Sequence, residues 1–162
     1  MKIPQEEYKN GHILVSETVK ELSDAGVKVN IGAHGQLQGL AAHWETWMMA
    51  QGGMTNMEAL KTATINAAEY IGAGNDIGSL KQGKLADLIV LSENPLDDIE
   101  NTQTVEMVMV NGRLYDANTM DEIGNRPRER KPFWWEGNKY NQAFPWHEET
   151  HSFLEGHCSC RH

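Results

Sequence analysis

Apolar positions between residues 12 and 25 recur at the spacing of one face of an α-helix. Six residues share this face: Ile13, Leu14, Thr18, Val19, Leu22 and Ala25. Gly26 follows, and glycine readily takes the left-handed conformation in which many helices end. The pattern therefore predicts a helix over 12–25.

The next segment, 27–31, alternates apolar and polar residues and is rich in β-branched side chains, which predicts a strand. Residues 32–35, a histidine between glycines, follow it directly. Helix, short turn, strand and glycine-rich loop in this order predict an α/β unit.

Two further helices are predicted over 40–50 and 55–71. Thr55 and Glu58 have the spacing of a capping box, which marks the start of the second one. Its apolar stripe consists of Leu60, Ala63, Ala67 and Ile71. Gly72 and Gly74 are expected to end it.

From about residue 77 the pattern becomes that of strands. Residues 85–91 are mostly apolar, and two more strand-like runs, 105–110 and 113–115, flank Asn111 and Gly112. Asn-Gly between such runs predicts a hairpin, because both turn positions favour positive φ. The chain is thus divided into helices with one strand (1–76), a small β unit (77–124) and an irregular tail rich in aromatic, His and Cys residues (125–162).

Length and charge exclude several classes of protein. The 162 residues are about one domain, and a complete (β/α)8 barrel needs roughly 250. The net charge of −9 disfavours a nucleic-acid partner, which requires a basic face. No apolar run approaches the ~20 residues of a membrane span, and the first seven residues have no apolar signal core. We therefore expect a soluble protein, cytoplasmic by default, with no membrane partner.

His34 is the first candidate for chemistry. It follows the predicted strand, and α/β proteins place functional side chains at the carboxyl ends of strands. The neighbouring Gly32 and Gly35 allow a sharp turn or close approach to a ligand. The alternative is a histidine that only caps a turn, and spacing alone leaves both open.

His43, Trp44 and Glu45 form the second candidate group, as possible substrate-binding residues. On a helix, His43 and Glu45 do not share a face, so they cannot chelate one ion as an i, i+4 pair would. One of them could point inward while the other is solvated. Trp44 fits the wall of an apolar pocket and equally fits a helix interface.

The tail holds the third group. His147 and His151 are four residues apart, which on a helix is metal-ligand spacing, and His157, Cys158 and Cys160 add further donors. Cys-x-Cys lacks the two-residue gap usual in zinc knuckles. The pattern favours a terminal cluster that binds metal only adventitiously, and a small metal-binding site is the alternative. Because both cysteines lie in the last five residues, the fold does not depend on a disulfide.

Several separate motifs resemble the metal-dependent amidohydrolase superfamily, and they occur in the family's order. Residues 72–91 resemble its C-terminal signature, and residues 54–68 resemble the helix after the last barrel strand. Residues 94–96 and 108–113 resemble returning strands of its small β-sandwich. Residues 35–45 look like the imidazolonepropionase and prolidase-like branch, especially members fused to a β-propeller.

This resemblance implies an α/β fold: part of a (β/α)8 barrel, with its last strand at 27–31 and the helices around it, plus part of a small C-terminal β-sandwich. It implies a hydrolase in which one or two divalent, zinc-like ions activate water to attack an amide or other C–N bond. Most of the metal ligands would come from earlier strands, which are absent from these 162 residues. His34 stands where the family has a metal-binding, proton-shuttling aspartate, so the resemblance makes it the expected catalytic and metal-binding residue.

Three functions remain open at this point. The chain could be an amidohydrolase fragment, inactive alone, that acts on a small amide or peptide when completed. It could be a non-catalytic oligomeric interaction module, or a small metal-binding protein that uses the His/Cys tail. An isolated barrel piece exposes a strand edge and apolar surfaces, so we expect a homo-oligomer or a complementing chain.

Overall fold

The computed structural model of the chain describes residues 11–33, 37, 39–133, 135 and 136. Contacts divide the chain into two compact units, residues 1–128 and residues 129–162. The first unit holds four helices in its described part: α1 (His12–Asp24), α2 (Leu40–Gln51), α3 (Asn56–Thr62) and α4 (Ile65–Tyr70). Among the described residues, no helix has the length and apolar character to cross a membrane.

α1 and α2 agree with the sequence prediction to within one residue at each end. α1 ends at Asp24, and Gly26 just beyond it has the positive φ expected of a helix stop, 90°. The N–H of Gly26 donates to Ser23 O and that of Val27 to Leu22 O, both at 3.0 Å. These paired bonds satisfy carbonyls that a helix end leaves open, and they reverse the chain toward residues 27–33.

The helix predicted over 55–71 is two helices. The predicted capping box is present: Glu58 N–H donates to Thr55 Oγ1, and the Glu58 carboxylate accepts from Thr55 N–H. The break between α3 and α4 falls at threonines whose hydroxyls bond back to helix carbonyls, Thr62 to Ala59 O and Thr64 to Leu60 O. Such bonds compete with the regular ladder and bend or end helices.

The predicted strand over 27–31 is wrong as secondary structure, because residues 27–33 carry none. The physical reason is pairing: a strand needs a neighbour, and the described part of the chain supplies no second strand beside this segment. Its hydrogen bonds go to helices instead. Ile31 N–H donates to Thr62 O at 3.2 Å, and the Asn66 side-chain amide donates to Val29 O at 3.1 Å.

The β region folds as predicted into an antiparallel sheet in the order β1 (Leu88–Leu91), β2 (Val105–Val110), β3 (Arg113–Asp116). β1 begins three residues later than the predicted strand. The β2–β3 turn is the predicted one, with φ of 50° at Asn111 and 75° at Gly112. A 3₁₀ helix (Ile99–Gln103) lies between β1 and β2.

Beyond β3 the chain folds back through single antiparallel bridges, from Tyr115 to Glu122 and from Glu122 to Arg128. The Glu122 side chain is 5% exposed, and its carboxylate accepts from both Nε, at 2.9 Å, and Nη2 of Arg113. The hydrogen bonds from the Arg113 guanidinium hold the pKa of Glu122 below its usual value, although burial opposes this shift.

The apolar core centres on α2 and the loop after it. Met49 of α2, Met54 of the loop and Ala59 of α3 are buried, and the partly buried side chains of Val19, Val29, Ala50 and Ile99 pack against them. α2 contacts α1, α3 and the 3₁₀ helix. Gly52, just after α2, lies so close to α1 that a Cβ there would be 2.4 Å from the carbonyl carbon of Ser16.

The described part of the second unit is short. The Arg130 guanidinium donates to the Glu136 carboxylate at 2.7 and 2.9 Å, and the rings of Phe133 and Trp135 stack with centroids 4.5 Å apart. The domain boundaries predicted at 76 and 124 stay predictions.

Candidate functional site

Glu45 binds the backbone at the carboxyl end of the segment 27–33. Both of its carboxylate oxygens lie 3.0 Å from the Gly32 nitrogen, so the carboxylate accepts the Gly32 N–H. A hydrogen bond to an ionised group is stronger than one between neutral groups. The bond ties the end of this segment to the first turns of α2. Gly32 lies two residues before His34 in the sequence.

His43 lies on a different face of α2 from Glu45. Its Nδ1 lies 3.1 Å from Oγ1 of Thr102 in the 3₁₀ helix, and the indole N–H of Trp47 donates to the same oxygen at 2.8 Å. The rings of His43 and Trp47 are tilted, with centroids 6.4 Å apart. The helix geometry anticipated this split: two residues turn the helix by roughly 200°, so His43 and Glu45 serve different faces.

Trp44 lies between these two residues in sequence and is 43% exposed. The structure thus does not bring His43, Trp44 and Glu45 together. His43 contacts the 3₁₀ helix, Glu45 contacts Gly32, and Trp44 is partly exposed to solvent. Their predicted role in substrate binding stays a prediction.

His34 lies outside the described residues, as do the tail residues His147, His151, His157, Cys158 and Cys160. Within the described ranges, no three His, Cys, Asp or Glu side chains come together in a way that could hold a metal ion. The Glu45 carboxylate, at the end of segment 27–33, accepts the Gly32 N–H. The described residues therefore do not by themselves form the divalent-metal site that the family resemblance implies.

Two cavities in the described region lie away from these candidates. One, of about 210 Å³, is lined at the amino end of segment 27–33 by residues that include Lys28, Lys61 and Asn66. The other, of about 330 Å³, lies in the loop over residues 74–84. Neither includes His43, Trp44 or Glu45, so neither supports the predicted substrate site.

The family-like signature at 72–91 has a structural role in this chain. Lys84 Nζ donates to the carbonyls of Gly74 and Ile77, which closes the loop before β1. The Asp87 carboxylate accepts the N–H of Asn111 at 2.6 Å, which ties β1 to the hairpin turn. Both charged groups hold backbone in place.

Thr102 is the residue that sequence reasoning missed. It is 6% exposed and joins His43 and Trp47, from which it is separated by 59 and 55 residues. A threonine in a polar run such as 99–103 carries no pattern that predicts such a contact.

The comparisons with known proteins decide the family. The model of the family described as "Amidohydrolase family" matches residues 9–115, about two thirds of the chain. The chain belongs to the amidohydrolase family. The resemblance stated from the sequence motifs is thereby confirmed.

Individual relatives are much longer than this chain. It is 37% identical over 95 residues to an ochratoxinase of Aspergillus niger, covering 56% of this chain and 20% of that protein. It is 55% identical over 40 residues to an imidazolonepropionase of Symbiobacterium thermophilum, covering 25% of this chain and 9% of that protein. The chain thus spans a fifth or less of the length of these curated relatives.

Two solved structures are similar to this chain in fold. A Xaa-Pro dipeptidase with bound methionine in its active site is similar with a TM-score of 0.57 and 33% identity, over 64% of this chain and 26% of that one. An amidohydrolase from Thermotoga maritima has a TM-score of 0.52 and 31% identity, over 60% of this chain and 25% of that one. The α/β fold class is therefore that of the family's neighbours.

Proposed function

We propose that this chain is the C-terminal part of a metal-dependent hydrolase of amide or other C–N bonds, and that it does not catalyse hydrolysis alone. The observation that carries the proposal is the lack of strand pairing at residues 27–33 within the described part of the chain. They lie in the stretch matched by the amidohydrolase family, yet within the described residues they pair with no strand. In a (β/α)8 barrel, every strand pairs on both sides and functional side chains follow its carboxyl end.

The contacts around residues 27–33 support a metal site that is completed by ligands from outside the described residues. The Glu45–Gly32 bond holds the backbone just before His34, the residue that we propose as metal ligand and proton-transfer group. A divalent metal would activate water for attack on the C–N bond. Because the described residues supply no three-donor cluster, most ligands of this metal would come from a further chain segment or a partner chain.

We also propose a homo-oligomer or a complementing chain as partner, and a small amide or peptide as substrate of the completed enzyme. The exposed apolar side chains of α1 support association: Leu14, Val15 and Leu22 are 50%, 62% and 46% exposed. This surface also favours the second candidate function, an oligomeric interaction module without catalysis.

Purified chain tests these proposals with three measurements: metal content, light scattering at tens of micromolar, and turnover of a Xaa-Pro dipeptide with added Zn²⁺. We expect association, metal well below one ion per chain once residues 147–162 are removed, and no turnover. Turnover by the chain alone, abolished by His34→Ala, would contradict the proposed inactivity. A monodisperse monomer would contradict the proposed partner.

A separate experiment tests whether this chain can complete a barrel enzyme. Adding the remaining segment of a family member, purified separately, is expected to restore turnover that depends on His34. A stable oligomer that never gains turnover with such a segment would instead favour the interaction module, and stoichiometric metal that is lost with residues 147–162 would favour the tail site.

A further inference from the structure

Asn30, in the middle of segment 27–33, has a buried side-chain oxygen that accepts no hydrogen bond. Of the buried side-chain nitrogen and oxygen atoms in the described ranges, Asn30 Oδ1 alone has no partner. A buried acceptor without a donor is costly, and nearly all such atoms in folded proteins are paired. The oxygen therefore marks a contact that the described residues do not complete.

The two edges of segment 27–33 differ in how their main-chain groups are used. In an extended chain, the main-chain groups of residues two apart point to the same side. Val29 O accepts a hydrogen bond from an α4 side chain at 3.1 Å, and Ile31 N–H donates to the last residue of α3 at 3.2 Å. The main chain of Asn30 points to the other edge, where no described residue bonds to it. The segment thus has one closed edge and one edge that is open at Asn30.

The open edge is also accessible. Lys28 and Gly32, which flank Asn30 on this edge, are both exposed. A Cβ added at Gly32 would meet nothing within 4 Å. An extended chain therefore has room to approach this edge.

We propose that a second copy of this chain pairs with the open edge, antiparallel and two-fold symmetric about Asn30. An asparagine side chain carries both a carbonyl acceptor and an NH₂ donor, so two facing Asn30 side chains each supply the donor that the other lacks. Directly opposed residues of an antiparallel pair also exchange two main-chain hydrogen bonds. One residue thereby satisfies its own copy across the axis, as a two-fold interface requires. The proposal rests on the proposed function, which includes a homo-oligomer as partner.

The neighbouring residues fit this register. Lys28 is the only charged residue of segment 27–33, and it would face the second copy's Gly32, so no like charges oppose each other. Val29 would face the second copy's Ile31, and β-branched side chains pair well across strands. A shift by one residue would leave both Asn30 oxygens unpaired. Asn30 would therefore fix the register, as a single buried asparagine does in coiled coils.

The Glu45 contact limits how far the pairing extends. Gly32 N–H lies on the open edge and already donates to the Glu45 carboxylate, so it has no bond left for a second copy. The hydrogen bonds of the proposed pair are consequently concentrated at Asn30. Association should then depend strongly on this one side chain.

Hydrogen exchange resolved to single amides distinguishes the two edges in the full chain. We would measure exchange at concentrations below and above the midpoint of association found by light scattering. The Asn30 amide should exchange about tenfold more slowly above the midpoint, the effect of one hydrogen bond. The Ile31 amide, bonded within the chain, should exchange at the same rate at both concentrations. An Asn30 amide that exchanges equally fast at both would overturn the proposal.

Asn30→Asp tests the side-chain pair, with Asn75→Asp as the matched control. Asn30→Asp removes the donor and places two carboxylates opposite each other, so association at neutral pH should be at least about tenfold weaker than that of the control. The difference should shrink as the pH is lowered, because a protonated carboxyl group again has a donor and an acceptor. Asn75→Asp makes the same change at an exposed loop position and should associate like the parent chain. Equal association of the two variants at neutral pH would overturn the proposal, and the exchange measurement does not require either variant to fold.

The outcomes distinguish this inference from the proposed function. A dimer whose Asn30 amide gains no protection would overturn the inference and leave the proposed homo-oligomer in place, whereas a chain that stays monomeric would overturn both. Protection of Asn30 by the separately purified remaining segment of a family member, without protection by a second copy, would overturn the inference in favour of a complementing chain. Turnover after completion tests the hydrolase proposal and does not depend on the dimer.

Discussion

The close approach of Gly52 to α1 gives a direct test of how the helices pack. A Cβ added at Gly52 would lie 2.4 Å from the carbonyl carbon of Ser16 and 2.5 Å from its carbonyl oxygen and its Cβ. Two of these three atoms are backbone, and non-bonded carbons normally approach to about 3.5–4.0 Å. The methyl group of Gly52→Ala therefore fits only if α1 moves away from α2 by about 1 Å.

The magnitude follows from two opposing terms. Gly52 has a φ of −77°, which alanine adopts without strain, so reduced unfolded-state entropy would stabilise the variant by about 0.4–1 kcal/mol. Overpacking of a close contact costs about 1–3 kcal/mol, and contact with backbone belongs at the upper end. We expect a net loss of about 1–2 kcal/mol in the free energy of unfolding.

Urea unfolding followed by circular dichroism measures this loss, with Gly32→Ala as the matched control. A Cβ at Gly32 would meet nothing within 4 Å, and Gly32 is not among the glycines with positive φ. The control should therefore be as stable as the parent chain or more stable by up to about 1 kcal/mol, because no close contact opposes the reduced unfolded-state entropy. If Gly52→Ala were as stable as Gly32→Ala, the helix packing described for α1 and α2 would be refuted.

Three further variants test the other contacts. Glu45→Ala removes the acceptor of the Gly32 N–H, and we expect hydrogen exchange of that amide, measured by NMR, to become about tenfold faster. Glu122→Gln removes a carboxylate whose pKa Arg113 holds below its usual value. The stability from this group is present above about pH 4.3, the usual glutamate pKa, and is lost as pH falls through the lower folded pKa. The difference in urea midpoint between parent and variant should therefore shrink as the pH is lowered. Gly112→Ala places a side chain at a φ of 75° and should cost about 1–2 kcal/mol in thermal or urea unfolding.

The Glu45 and Glu122 variants each have a reference measurement. The Asn111 amide, bonded to the Asp87 carboxylate, should keep its exchange rate in Glu45→Ala. Glu106→Gln, at an exposed position of β2, should give no pH-dependent difference comparable to that of Glu122→Gln. Equal exchange of the Gly32 amide in parent and variant would contradict the Glu45 contact, and a midpoint difference independent of pH would contradict the Glu122 ion pair.

Local sequence signals predicted the elements that depend on local interactions. The capping box of Thr55 and Glu58 and the Asn111–Gly112 turn both form as predicted, because each is determined by residues within four positions. The sequence also contains a local signal for the break between α3 and α4, although the apolar stripe predicted one continuous helix. Thr62 and Thr64 are β-branched, and their hydroxyls compete for helix carbonyls.

Features that depend on distant partners could not be predicted in the same way. The alternation over 27–31 is a strand pattern, but a strand forms only beside another strand, and the sequence pattern says nothing about whether one is present. The contacts of Thr102 with His43 and Trp47 cross more than 50 residues and depend on how the 3₁₀ helix packs on α2. Packing of this kind is determined by the whole fold.

The opposite orientations of His43 and Glu45 limit how α2 can change in length. Each inserted or deleted residue rotates the following helix by about 100°. One insertion between Leu40 and His43 would turn both side chains away from their partners, Thr102 and Gly32, in a single step. Length variation among homologous chains should therefore fall in the sequence before α2, over 34–39, and α2 should keep a constant spacing from its start to these two residues.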